Sequence, residues 1–144
     1  MAYFNLNRRY VERGSYDQDE FITAQLRGKL VGWDKILDGR CSVIVAPANF
    51  GKTTEMRQQA ARLRANGEAA IFVALRQLVD RGNLDKALEG DDRDSYRTWK
   101  AANAGPITVF VDSLDEAAVG KQESISYLVG DVADGLNWPN DHVK

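Results

Sequence analysis

Three short apolar runs, at residues 41–45, 69–75 and 107–111, alternate with longer stretches of helical character. That alternation leaves few folds open. Runs of apolar and β-branched residues with no polar alternate read as strands buried on both faces. Such strands, joined by helices, pair in parallel and take helices on both faces of the sheet, which gives an α/β class. In the stretch 21–39, Phe21, Leu26, Leu30, Trp33, Ile36 and Leu37 recur at helical spacing and Gly39 supplies a stop. The stretch 53–66 sets Met56, Ala60 and Leu63 on one helical face, and Gly67 ends it. Residues 79–104 are polar around the anchors Leu84, Leu88, Tyr96 and Trp99. They predict one or two short helices, the second near 92–102, broken by Gly105-Pro106. Residues 122–136 predict a further helix, and residues 1–20 a loosely ordered lead-in.

The chain has 144 residues, a single-domain length, with 19 Lys+Arg against 21 Asp+Glu and a formal charge of −2. That balance gives no support to duplex nucleic acid as a partner. The lone Cys41 excludes an intrachain disulfide and an all-cysteine metal site; placed in an apolar run, it reads as an inert core residue. The single histidine, His142, excludes a multi-histidine metal site and reads as solvated. No apolar run approaches the length needed to span a bilayer, and the first residues lack the pattern of a secretory leader. The expectation is a soluble, cytoplasmic protein with no membrane partner.

The segment with most chemistry is Ala46-Pro47-Ala48-Asn49-Phe50-Gly51-Lys52-Thr53-Thr54, which follows an apolar run and opens a helix. Backbone N–H groups in such a loop converge on an anion, and the helix start adds unpaired donors and a positive dipole end. Lys52 is placed to reach β- and γ-phosphates, Thr53 to put its hydroxyl on Mg²⁺, and Thr54 to donate to the α-phosphate. A second constellation is Ile107-Thr108-Val109-Phe110-Val111-Asp112-Ser113-Leu114-Asp115-Glu116. Here an apolar run meets acids at the carboxyl end of a strand, where open α/β sheets hold their ligands. Asp112 is placed to bind Mg²⁺ through water, and Asp115 or Glu116 to polarise an attacking water. The acids Glu89, Asp91, Asp92 and Asp94 read as a solvated face or as first-turn helix acids.

Lys52 and Asp112 with their neighbours resemble the Walker A and Walker B motifs of a P-loop NTPase. The Asp-Ser-Leu-Asp-Glu sequence at 112–116 resembles the NACHT-type branch of the STAND NTPases. One position departs from the pattern: Ala46, followed by Pro47, stands where the loop normally has its first glycine. The resemblance implies a three-layer sandwich around a mostly parallel sheet. It also implies ATP with Mg²⁺ as cofactors, slow hydrolysis and a nucleotide-controlled switch, in bacteria often for antiviral defence. Catalytic roles then fall to Glu116, Asp115 and Lys52. The phosphates are cradled by residues 46–54, and the metal is held by Thr53 and Asp112. Tyr10 and Val11 fall in the segment that related NTPases use beside the adenine, though packing is the reading their residue types favour.

The resemblance divides the chain into a lead-in with helices at 1–38 and the N-terminal portion of a nucleotide-binding domain at 39–144. Such a domain normally has about five strands, one of them between the Walker A and Walker B strands, and three are legible here. The expectation is an incomplete sheet that depends on downstream domains or self-association. Alternatives are a P-loop module that binds or assembles without turnover and, with less support, a small-molecule kinase.

Overall fold

The computed structural model describes residues 10–11, 30–44, 50–112 and 122–137. Contacts cluster the chain into two units, Met1–Ile44 and Val45–Lys144. In the first unit, strand β1 (Tyr10–Val11) pairs antiparallel with β2 (Leu30–Val31), Tyr10 opposite Val31. Helix α1 (Trp33–Leu37) follows directly. The Tyr10 and Trp33 rings meet edge to face, 5.5 Å between centroids. Leu30 therefore lies in a strand and not in the helix that its spacing suggests, because Val11 offers it a ladder partner.

Residues 41–44, expected as the first buried strand, form no strand. Cys41, Ser42 and Val43 are exposed, Val43 by 77%. Cys41 is thus a free, exposed thiol and not a core residue. A strand needs a neighbouring strand to take its backbone N–H and C=O groups, and among the described residues no strand pairs with this segment. β-branched composition alone does not supply that neighbour. Val45 lies outside the described residues.

The second unit begins with helix α2 (Lys52–Ala65), followed by strand β3 (Ala69–Ala74). Three helices come next: α3 (Leu75–Arg81), α4 (Leu84–Ala87) and α5 (Gly90–Ala102). Strand β4 (Ile107–Asp112) and helix α6 (Gln122–Gly135) follow among the described residues. The two strands pair in parallel, Ala69 opposite Ile107 through Ala74 opposite Asp112. The unit is therefore a mixed α/β assembly around a two-stranded parallel sheet, as the alternation of runs implies. The helix at 53–66 stops where expected. Gly67 takes φ 83°, and the Glu68 N–H turns back to the Leu63 carbonyl at 3.0 Å.

Side chains alternate across the strands, and the core divides accordingly. Ile71 and Val73 join Leu75, Leu78, Leu84, Leu88, Tyr96, Ile107, Leu128, Val132 and Leu136 in one cluster, with Trp99 packed against it. The opposite face carries Ala70, Phe72, Phe110 and Asp112, and α2 packs there through Ala60 and Leu63. Arg57 of α2 lies over the Phe72 ring at 4.6 Å.

Candidate functional site

The site grows from two backbone ends. Gly51 is the N-cap of α2 at φ 74° and ψ 23°, the left-handed region that suits glycine. Its carbonyl accepts the Glu55 N–H at 3.1 Å, the first bond of the helix. The next residues are Lys52, half-buried, and Thr53 and Thr54, both exposed. A helix start leaves its first N–H groups without intrahelical partners and carries the positive end of the dipole. Phe50, just outside the helix, is 56% exposed.

The second end is that of β4. Asp112 is its last residue, 7% exposed. Alternation puts Asp112 on the face covered by α2, and the Thr53 hydroxyl donates to Asp112 Oδ2 at 2.5 Å. The two residues are 59 apart in sequence. A hydroxyl that donates its proton to a carboxylate keeps lone pairs of its own. The pair therefore presents hard oxygen donors side by side next to a helix start. Mg²⁺ prefers such donors and keeps several waters besides, so the pair fits that ion chemically. No cluster of three or more His, Cys, Asp or Glu side chains gathers among the described residues.

Of the residues singled out in the sequence, Thr53 and Asp112 are thus brought together, with Gly51, Lys52 and Thr54 around the same helix start. Ala46, Pro47, Ala48 and Asn49 lie outside the described residues, as do Asp115, Glu116 and His142.

Sequence spacing did not single out Glu55, which is 5% exposed in the first turn of α2, whereas Met56 beside it is only half-buried. An acid in the first turn of a helix faces the positive end of its dipole. The available signal was an acid within four residues of the helix-opening glycine.

A separate depression of about 370 Å³ lies among Asn83, Asp85, Lys86, Tyr96, Lys100, Asp131 and Asp134. Neither Thr53 nor Asp112 lines it, so it is distinct from the paired oxygens. No helix among the described residues is long and apolar enough to cross a membrane. Compared with family models, curated proteins and solved structures, the chain finds no match.

Proposed function

We propose that this chain is the ATP-binding portion of a nucleotide-controlled switch of the P-loop NTPase type, NACHT-like in its acidic segment. The observation that carries the reading is the 2.5 Å hydrogen bond between Thr53 and Asp112. It couples a Gly-Lys-Thr helix start to an acid at the end of a parallel strand, and phosphate with a divalent cation needs that combination.

On this reading Gly51 lets the backbone approach the phosphates closely, and Lys52 neutralises the β- and γ-phosphates. Thr53 and Asp112 hold the cation, Asp112 through water. Mg²⁺, when bound, supplies charge neutralisation across the phosphate oxygens. Asp115 or Glu116 orients and polarises the attacking water. Around this site the fold is a P-loop sandwich whose sheet is larger than the β3–β4 pair.

Fluorescence titration with labelled ATP and GTP at fixed Mg²⁺ tests the reading. ATP is expected to bind more tightly, because the chain has no Asn-Lys-x-Asp guanine reader. Equal or tighter GTP binding refutes the base preference. No binding of either nucleotide at millimolar concentration refutes the nucleotide site. Phosphate release by Glu116→Gln beside the parent chain then separates turnover from binding alone.

A further inference from the structure

The outer edge of β3 is occupied by side chains. In a parallel ladder alternate residues turn their N–H and C=O groups toward the neighbour, and those between turn theirs outward. Ala70 and Phe72 are outward-turned residues of β3. The Ala70 N–H donates to Ser95 Oγ at 3.3 Å and the Phe72 N–H to Asp92 Oδ1 at 3.0 Å. The Ala70 carbonyl accepts from Arg64 Nη1 at 3.1 Å, and Arg64 also pairs with Asp92. Asp92 and Ser95 are three apart on α5 and therefore share a helix face. These partners take up three of the groups that an added strand would pair with: both amides and the Ala70 carbonyl. Asp92, read from the sequence as part of a solvated face or as a first-turn helix acid, lies in the first turn of α5, half-buried and bonded to the sheet.

The strand under this cover needs it. β3 reads Ala-Ala-Ile-Phe-Val-Ala, six residues with no charge, no proline and no glycine. A short segment of this kind, once its edge is free, pairs with copies of itself.

We propose that Asp92, with Ser95 and Arg64, seals a latent self-association edge, whose partner is the same edge of a second copy of this chain. Removing the seal lets two β3 strands meet across a two-fold axis, antiparallel, through the amides of Ala70 and Phe72. The proposal is independent of nucleotide binding.

Amide hydrogen exchange and sedimentation velocity on the whole chain test it. In the parent chain the Phe72 and Ala70 amides are protected. Asp92→Ala raises Phe72 exchange in the dilute monomer by roughly ten- to a hundredfold, the cost of losing a bond to a charged acceptor. The same variant dimerises as concentration rises, and Phe72 protection returns in the dimer. Asp92→Asn keeps an acceptor oxygen and loses the charge facing Arg64, so it falls between the two. The β4 amides stay protected throughout. A parent-chain Phe72 amide that exchanges like an exposed one overturns the proposal. So does an Asp92→Ala chain that remains monomeric at every concentration, or one that associates only as protection in β4 is lost.

Discussion

The Thr53 hydroxyl donates to Asp112 Oδ2 across 2.5 Å, tying the first turn of α2 to the last residue of β4. Both residues sit at the ends of regular elements, so the helix and the sheet fix their separation. Asp112 is almost fully buried and Thr53 is exposed.

Thr53→Ala and Asp112→Asn are each expected to weaken nucleotide binding in Mg²⁺ by about ten- to a hundredfold, from contacts to charged groups of about 1.5–3 kcal/mol. In a chelator the loss shrinks, because the removed groups act through the cation. Parallel titrations with Mg²⁺ and with EDTA check this. Equal losses in both conditions rule out a cation at the pair.

Lys52→Ala removes a cation from the helix start and leaves the apolar core untouched. Nucleotide affinity falls by about ten- to a hundredfold, and the melting temperature of the nucleotide-free chain moves little. A variant that binds as tightly as the parent shows that the loop does not cradle phosphate.

Gly135→Ala tests the packing of α6 on α4. A Cβ at this position meets Leu84 Cβ and Cδ2 at 2.9 Å each. The Gly135 carbonyl also accepts the Tyr96 hydroxyl at 2.7 Å, so the backbone there is not free to move away. Overpacking of this kind costs about 1–3 kcal/mol. Urea unfolding should show a lower midpoint with an unchanged slope. An unchanged midpoint means that α6 and α4 shift apart without cost, since no rotamer moves Leu84 Cβ.

Arg97 Nε and Nη2 donate to the two oxygens of Asp85 at 2.8 Å each. These bonds hold the Asp85 carboxyl below its ordinary value of 3.8, and the Arg97 charge adds to them. A depressed folded-state value stabilises the fold above the ordinary value, and the contribution is lost as pH falls through the folded-state value. Thermal melts of the parent and Arg97→Ala should differ at neutral pH and converge below 3.8. The difference is small and shrinks in high salt, because the pair is exposed. A gap that widens on acidification contradicts the assignment.

The segment from Lys52 to Asp112 was largely legible before any coordinates. Helix α2 and strands β3 and β4 declare themselves through local signals: Gly51 before the helix, Gly67 after it, and two largely apolar runs. Helix α3 does not, because it opens at Leu75, where the apolar run reads as strand. Lys52, Thr53 and Asp112 were legible as chemistry because motif spacing places each at the end of an element. The run at 41–45 carries the same local signal as 69–75, yet residues 41–44 form no strand. Strand formation depends on a partner, and a partner is not encoded locally.

What the sequence determined by itself is periodicity: which residues favour helix or strand, and which chemistry stands at their ends. Tertiary structure alone decided which ends meet and which charges are used. It brought Thr53 to Asp112 across 59 residues. It also set Asp92, a first-turn acid of α5, against the Phe72 amide. Helix preference arises within a few residues along the chain. A sheet edge, by contrast, must satisfy its outward N–H and C=O groups with whatever the fold places beside it, and sequence distance carries no record of that choice.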